Sequence, residues 1–236
     1  MTPPTRFWFW IGTLNGIISE IATGKCPKNR HLIPFTQPGR FHYLIGGVKT
    51  PPYEFWLGNH QQEEIMKLLI ASDIHGSAYW CGRLMAEIET ENPDRVLLLG
   101  DLLYHGPRND LPRDYAPKQV IPMLSSIKEK IIAVRGNCEA EVDQMVLPFS
   151  CLADFSQLLV DGKLFHLSHG HHQNPQALPP LPEGSIFLFG HTHVKLDEMV
   201  GAIRCLNPGS VSIPKDGSHS YLLYENGNFS FKILEE

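Results

Sequence analysis

Residues 66–77 read MKLLIASDIHGS, in which a short apolar run passes directly into polar residues. The run 68–71 has the length and composition of a buried strand. Asp73 and His75 follow where that strand would end, and Gly76 lets the backbone turn sharply there. Two residues apart on extended backbone, Asp73 and His75 can both face one metal ion. This stretch therefore predicts a strand of an α/β sheet with metal ligands at its carboxyl end.

Similar polar residues follow four further predicted strands. The strands at 95–99, 130–134, 163–168 and 185–189 are followed by Gly100-Asp101, Gly136-Asn137-Cys138-Glu139, His169-Gly170-His171 and Gly190-His191-Thr192-His193. Most of these motifs are commonly turns when they occur alone, and only Gly190-His191-Thr192-His193 has little structural purpose, but five in order after five strands are far more specific than any one of them. Open α/β sheets place their sites at the carboxyl ends of strands. Carboxylate, imidazole and amide ligands suit Mn²⁺, Fe, Zn²⁺ or Co²⁺, and the carboxylate of Asp101 has two oxygens with which to bridge two such ions.

Two patterns of secondary structure divide the chain after Met66. Predicted strands at 67–72, 95–99 and 130–134 alternate with predicted helices at 77–91 and 116–129, which is typical of parallel strands joined by crossovers. From residue 155 the pattern changes to short strands, predicted at 155–160, 163–168, 185–189, 195–200, 220–224 and 228–234. The sequence therefore predicts an α/β (α+β) fold in which two mixed β-sheets pack face to face and are flanked by helices.

A few residues in these elements are predicted to be structural only. Trp80, Leu84 and Ile88 recur at helical spacing and should form a stripe against the core. Cys151 and Cys205 are expected to be buried. Residues 207–210, Asn-Pro-Gly-Ser, are interpreted as a tight turn beside the metal edge.

Composition excludes several classes of protein. The chain has 236 residues, 42% hydrophobic and 19% charged, which is typical of a globular protein and not of a disordered one. Twenty Lys and Arg against 25 Asp and Glu leave no bulk positive charge for nucleic acid. No apolar run is long enough to span a membrane. Five cysteines without a C-x-x-C pair indicate neither a disulfide framework nor a zinc ribbon, and favour a cytoplasmic location.

The first 65 residues differ in composition from the rest. They contain six Lys or Arg against four Glu, 14 Pro or Gly, and three of the four Trp residues. Their periodic pattern is interrupted, whereas Met66 opens a clean strand. We expect residues 1–65 to be an N-terminal extension, either poorly ordered or added by a mis-assigned start, and residues 66–236 to form the functional domain.

Six local motifs after Met66 resemble the calcineurin-like metallophosphoesterase superfamily. They are ASDIHGS at 71–77, LGD at 99–101, HGPRN at 105–109, VRGNC at 134–138, EVDQM at 141–145 and NPGSVSIP at 207–214. They are most similar to its small manganese-dependent phosphodiesterases of the YfcE type. The resemblance implies a four-layer metallophosphoesterase sandwich with a dinuclear site at one edge, and Mn²⁺ as the expected metal. Residues 1–65 have no counterpart in it.

The resemblance also implies a ligand set and a reaction. The first metal would take Asp73, His75, Asp101 and His193, and the second Asp101, Asn137, His169 and His191. A hydroxide held between the two metals would attack phosphorus in line, so that the chain hydrolyses phosphodiester bonds. The expected catalytic residues are Asp101, Asn137, Cys138 and His171.

Cys138 departs from the pattern of the superfamily. Many members carry His directly after the motif Asn, where it protonates the leaving group or steadies the transition state. A Cys near two cations tends to lose its proton and is a poor acid, and a plain packing role for Cys138 is an equal alternative. His171 is a candidate substitute acid. Arg108 and His105, on the loop after the second strand, are candidate substrate contacts.

Other functions of the same fold stay open at this point. A phosphomonoesterase or a dinucleoside-polyphosphate hydrolase would use the same site. The retromer subunit Vps29 resembles this fold and is an interaction scaffold with a degraded metal site. Here every ligand position holds a competent ligand, which favours an enzyme. Neither the physiological substrate nor the oligomeric state, with a homo-oligomer among the options, follows from the sequence.

Overall fold

A computed structural model describes residues 66–236, together with four two-residue strands ahead of them. These are β1 (Arg40–Phe41), β2 (Leu44–Ile45), β3 (Val48–Lys49) and β4 (Tyr53–Glu54), of which β1 pairs with β4 and β2 with β3. The chain divides into two compact units, Met1–Gln61 and Gln62–Glu236. The expectation that residues 1–65 are a poorly ordered extension lies outside the described residues.

The first large sheet contains the predicted α/β strands. Its strands are β5 (Leu68–Ala71), β6 (Arg95–Leu98), β7 (Ile131–Ala133), β13 (Ser220–Glu225) and β14 (Asn228–Ile233), in the order β14-β13-β5-β6-β7. β5, β6 and β7 are parallel, and β13 and β14 are antiparallel additions at one side. The three parallel strands therefore end at the same edge of the sheet.

The second large sheet is built from the later, shorter strands. They are β8 (Phe155–Val160), β9 (Lys163–Ser168), β10 (Ile186–Leu188), β11 (Lys195–Val200) and β12 (Ile203–Pro208), in the order β11-β12-β10-β9-β8. β9, β10 and β12 are parallel, and β8 and β11 form antiparallel edges. The prediction of two mixed sheets is confirmed.

β12 corrects the interpretation of residues 207–210 as a turn alone. Asn207 and Pro208 are the last two residues of this strand, and the turn comes only at Gly209, whose φ is +83°. Pro208 is accommodated because it closes the strand, where its missing N–H interrupts no further ladder.

The core explains why the central strands read as continuous apolar runs. Alternate residues of each parallel strand of the first sheet face either the second sheet or the helices, and both faces are buried. Between the sheets lie Leu68, Ile70, Leu97, Phe165, Leu167 and Leu206. On the helix side lie Leu69, Ala71, Val96, Leu98, Trp80, Leu84, Val120 and Leu124.

The first two helices pack on the outer face of the first sheet. They are α1 (Ala78–Glu91) and α2 (Pro117–Ser126), followed by a 3₁₀ turn at Lys128–Lys130 and a short α3 (Glu141–Val146). Ser77 caps α1 by accepting a hydrogen bond from the backbone N–H of Trp80 at 3.2 Å. The predicted stripe of Trp80, Leu84 and Ile88 is buried, as are Cys151 and Cys205. Among the described residues, none of the helices combines the length and apolarity needed to cross a membrane.

The outer face of the second sheet is covered differently. Its buried aromatic residues Phe187 and Phe189 pack against Leu178 and Leu181. Both leucines belong to the irregular segment 171–184, which connects β9 to β10. This segment begins at His171, so the cover of the second sheet starts at the edge where the predicted ligands lie.

Candidate metal centre

Asp73, His75 and His193 meet where the parallel strands of both sheets end. Asp73 Oδ1 lies 3.5 Å from His75 Nε2 and 3.2 Å from His193 Nε2. All three side chains are buried, and Asp73 Oδ1 accepts no hydrogen bond. A buried carboxylate oxygen without a donor costs free energy. The arrangement therefore calls for a cation, or a proton, between these three groups.

Asp101 connects this group to a second one. Its Oδ2 lies 3.7 Å from His75 Nε2 and 3.4 Å from His169 Nε2. His169 Nε2 in turn lies 3.1 Å from Asn137 Oδ1. Three sets of ligand atoms each lie within 4.8 Å of one another: Asp73 with His75 and His193, Asp73 with Asp101 and His169, and His75 with Asp101 and Cys138. The three sets overlap, and Asp101 Oδ2 lies between His75 and His169.

The protonation of three histidines is set by their outer hydrogen bonds. The Nδ1 atoms of His75, His169 and His193 lie 2.8, 2.6 and 2.7 Å from the backbone carbonyls of Tyr104, Leu99 and Ile213. A carbonyl only accepts, so each Nδ1 carries a proton, and Nε2 is left as the atom that presents a lone pair to a cation once the ring is neutral. His75 Nε2 and His193 Nε2 are 3.3 Å apart. Two lone pairs at that distance, beside a carboxylate, fit a divalent cation.

The backbone of the ligand loops adopts a conformation that side chains rarely take. Five of the seven predicted metal ligands have positive φ: Asp73 (60°), His75 (48°), Asp101 (56°), His191 (67°) and His193 (60°). Non-glycine residues avoid this left-handed region, which costs about 1–3 kcal/mol each and is concentrated at functional sites. The cost is offset by the surrounding hydrogen bonds, and the result is that these side chains turn toward one point.

All residues of this centre lie within a stretch that matches a known protein family. Residues 66–228 match the profile of the calcineurin-like phosphoesterase superfamily domain, which is more than half of the chain. The chain belongs to this superfamily. The resemblance drawn from the six motifs is thereby confirmed, and members of the superfamily bind divalent metal ions.

The alignments of this chain with relatives in the superfamily cover most of the length of those relatives. Phosphodiesterase YfcE of Escherichia coli is 43% identical over 173 residues, which are 73% of this chain and 94% of that protein. A phosphodiesterase of Methanocaldococcus jannaschii is 25% identical over 152 residues, 61% of this chain and 83% of that one. The solved structure of the Escherichia coli YfcE phosphoesterase superposes with a TM-score of 0.68 at 40% identity, covering 72% of this chain and 100% of the other.

Glu139 is a member of the site that the sequence did not reveal as functional. Its buried carboxylate accepts hydrogen bonds from the backbone N–H groups of Asp101 at 2.9 Å, Leu102 at 2.6 Å and Gly136. It therefore ties the loop after β6 to the loop after β7. Burial, and then the charge of Asp101, raise the pKa of Glu139 to about 7. Its partners are backbone groups, which residue types do not identify. The one indication in the sequence is the position of Glu139 in the motif that begins at Gly136.

Asn207 and two serines fix the remaining ligand loops. Asn207 Nδ2 donates to the carbonyl of Gly190 at 2.7 Å and lies 3.0 Å from Thr192 Oγ1, and so holds the loop of His191 and His193. The hydroxyls of Ser210 and Ser212 donate to the carbonyl of Asp73 at 2.9 and 3.1 Å. The motif at 207–214 thus supports ligands from both sheets, a role for which its turn-like sequence gave no signal.

The clustered charges shift the pKa values of the ligands in the metal-free protein. Burial opposes ionisation of Asp73, but His193 and His75 outweigh it and hold the pKa of Asp73 well below its usual range. Burial opposes protonation of His169, but Asp101 and Asp73 outweigh it and raise its pKa to about 9. The pKa of His75 is likewise raised against the effect of burial, by Asp73 and Asp101. Cation binding must displace these protons.

The other two predicted ligands lie at the outer side of the centre. The ring of His191 is 5.1 Å from that of His169, and its backbone N–H donates to Asp73 Oδ2 at 3.1 Å. Asn137 is exposed, and its Nδ2 lies 3.2 Å from Cys138 Sγ. Every predicted metal ligand therefore lies at the same edge.

Cys138 and His171 both lie next to predicted metal ligands. The backbone N–H of Cys138 donates to Asp101 Oδ1 at 2.9 Å, and burial and Asp101 raise the pKa of its thiol. The ring of His171 lies 5.4 Å from that of His169. Burial and the neighbouring charge of His169 lower the pKa of His171 to about 4. A neutral imidazole at pH 7 accepts a proton more readily than it donates one.

The two predicted substrate contacts differ in exposure. Arg108 is exposed, and its charge contributes to lowering the pKa of His191, after burial and His169. His105 is half-buried between the rings of Tyr104 and Tyr115, at 4.7 and 5.1 Å. Arg108 is therefore free to reach a ligand at the metal edge, whereas His105 is held by its aromatic neighbours.

Proposed function

We propose that this chain is a phosphodiesterase that hydrolyses phosphodiester bonds with two divalent metal ions. The observation that carries the proposal is the pair of His75 and His193 Nε2 atoms, 3.3 Å apart with both Nδ1 protons given to carbonyls, beside the unpartnered Asp73 Oδ1. The names of the relatives in Escherichia coli and Methanocaldococcus jannaschii support the reaction class.

The residues present fit two cations rather than one. Asp73, His75, Asp101 and His193 would hold the first, and Asp101, Asn137, His169 and His191 the second. Bound there, divalent cations supply Lewis acidity for the phosphoryl oxygens and a water of lowered pKa as nucleophile. The nitrogen and oxygen donors are compatible with Mn²⁺, which we propose as the metal, and Fe, Zn²⁺ or Co²⁺ fit the same donors.

The protein's own groups prepare the reaction by position and charge. Glu139 and Asn207 hold the ligand loops through hydrogen bonds to backbone groups, which preorganises the ligands. Arg108 is placed to neutralise the phosphate from outside. In the metal-free protein, burial and Asp101 raise the pKa of the Cys138 thiol, so it is a weak acid there. We infer that the leaving group departs with little help from a protein acid.

The test is a comparison of a diester with a monoester. The full chain is freed of metal with a chelator and reconstituted with Mn²⁺, and the release of nitrophenolate from bis-(p-nitrophenyl) phosphate and from p-nitrophenyl phosphate is measured, alongside metal content. We expect two metal ions per chain and at least about tenfold higher kcat/KM for the diester. A preference for the monoester would favour a phosphomonoesterase. Metal binding without turnover of either would favour an interaction scaffold.

We also propose that the protein acts in the cytoplasm. Cys81, Cys138, Cys151 and Cys205 are all unpaired within the described residues, as expected of a reducing compartment. Fractionation of the native cells, followed by immunodetection, tests this location.

A further inference from the structure

A groove leads away from the metal edge along the second sheet. It has a volume of about 410 Å³, within the usual range of small-molecule sites. One side is formed by Leu196 and Glu198, alternate residues of β11, and by Val194 just before that strand. The buried ring of Phe189 lies at its base. The segment 174–176 forms the opposite side.

The groove is continuous with the candidate metal centre. His171 and His191 line it, and His191 is also a predicted metal ligand, with its ring 5.1 Å from that of His169. The Nδ1 atom of His171 is buried and has no hydrogen-bond partner. When the phosphorus of a diester lies at the metal edge, one of its two ester groups can therefore extend into this groove while the other points away from it.

The charge of the groove limits what it can take. Its lining contains neither Lys nor Arg, and Glu198 is an exposed acid that forms no ion pair among the described residues. Arg108, the cation placed near the centre, is not part of the lining. A second phosphate in the groove would lie beside a carboxylate with no cation to balance it. The apolar surfaces of Leu196, Val194 and Phe189 favour an uncharged group instead.

We propose that this groove is the subsite for the ester group that stays on the phosphate, and that it takes an uncharged, ring-bearing alcohol such as a nucleoside. The inference rests on the proposed phosphodiesterase function. The size of the groove suits a nucleoside, whose apolar ring faces match its walls. A methyl group would leave most of the groove filled with water.

The test uses diesters that share one leaving group. The Mn²⁺-loaded full chain is assayed with p-nitrophenyl methyl phosphate and with thymidine 5′-(p-nitrophenyl phosphate). Both substrates keep an alkyl ester and the same leaving group, so their intrinsic reactivities are matched. The ratio of their kcat/KM values therefore measures how much the groove contributes to recognition of the retained alcohol. We expect the thymidine ester to be favoured by at least about tenfold. Turnover of both esters with equal kcat/KM overturns the subsite, and no turnover of either overturns the phosphodiesterase function itself.

Two variants locate the effect within the groove. Leu196→Ala removes apolar surface from the wall and should lower the thymidine-to-methyl ratio about tenfold. Met199→Ala, on the same strand but outside the lining, should leave that ratio unchanged. An unchanged ratio in Leu196→Ala, or an equal loss in both variants, contradicts the assignment.

A substrate with an additional negative charge tests whether the groove excludes anionic groups. Thymidine 3′-phosphate 5′-(p-nitrophenyl phosphate) adds a dianion to the group in the groove. We expect kcat/KM at least about tenfold below that of the ester without it, and recovery of at least half of that loss in Glu198→Lys. Equal rates with and without the 3′-phosphate would show that the groove does not exclude charge.

Discussion

Cys138 occupies the position next to the ligand Asn137, and its chemistry decides how the leaving group departs. Because burial and Asp101 raise its pKa, it offers neither a strong acid nor a ready thiolate in the metal-free protein. The rate should therefore depend steeply on the pKa of the leaving alcohol. We expect aryl diesters to be cleaved much faster than alkyl diesters, and Cys138→His to flatten that dependence.

The measurement is kcat/KM across a series of substituted phenyl diesters. A flat dependence in the unmutated protein would reveal another acid. In that case His171→Gln should restore a steep slope if His171 is the donor.

The histidines of the centre make metal-free stability depend on pH. The pKa of His169 is raised to about 9 in the folded chain, above its unfolded value of about 6.5. The stabilisation is thus fully present below pH 6.5 and is lost as the pH rises through about 9. We expect the Tm of chelator-treated protein to fall across this window. The stabilisation by added Mn²⁺ should grow over the same window, because fewer protons are displaced.

Thermal unfolding between pH 6 and 9.5, with and without Mn²⁺, checks this linkage. The His169→Asn variant is the control and should lose the part of the slope near pH 9, while His75 and Glu139, whose pKa values are also raised, keep a smaller slope at lower pH. A Tm in chelator that does not change with pH would show that His169 is not held protonated by Asp101 and Asp73.

At the scale of elements, the loop after β7 is packed so tightly that it has no room for one more carbon. A Cβ at Gly136 would overlap the carboxylate of Asp101 and come within 2.7 Å of Glu139 Oε2. Gly136→Ala should therefore displace the ligand loop and lower Mn²⁺ affinity by at least about tenfold while the fold is retained. Isothermal titration calorimetry with Mn²⁺ measures this affinity.

Gly82 in α1 is the matched control. A Cβ there meets nothing within 4 Å, and the residue lies in a helix interior. Gly82→Ala should leave metal affinity unchanged and stabilise the chain by about 0.5–1 kcal/mol. Equal metal affinity in both variants would contradict the role given to the loop after β7.

The elements that sequence reasoning found are those with a strong apolar signal. The parallel strands β5 and β6 are buried on both faces and read as unbroken apolar runs, and α1 carries a helical stripe and a Ser cap. β12 was missed because it contains Arg204 and ends in Asn207-Pro208, a pair that is typical of turns. α3 was missed because its six residues include exposed Val142, Met145 and Val146, which form no core stripe.

The site was predictable in its residue types but not in its supports. Asp and His after successive strands identify ligands because parallel strands end at one edge. The left-handed backbone of five ligands, and the bonds from Glu139 and Asn207 to backbone groups, depend on the meeting of distant loops. No local pattern encodes such contacts.

At the scale of the whole molecule, we propose that residues 66–236 carry the complete function. The superfamily match covers 66–228, and the whole chain of the solved YfcE structure corresponds to 72% of this one. A protein beginning at Met66 should bind two metal ions and match the full chain's kcat/KM within about twofold, a difference below ~0.5 kcal/mol. Its Tm should be equal or higher.

Diester hydrolysis and thermal unfolding of the two proteins, measured side by side, check this boundary. A loss of more than about tenfold in activity, or misfolding of the shorter chain, would make the first 65 residues a structural part of the enzyme.

In the proposed phosphodiesterase centre, Asp101 would be a ligand shared by both metal ions. The most direct measurement is metal content together with diester hydrolysis in Asp101→Asn, which keeps the shape of the side chain and removes its charge. We expect loss of at least one metal ion per chain and a fall in kcat of at least ~10³, in line with the several kcal/mol that such metals supply. An Asp101→Asn protein that keeps two metal ions and full activity would contradict the account.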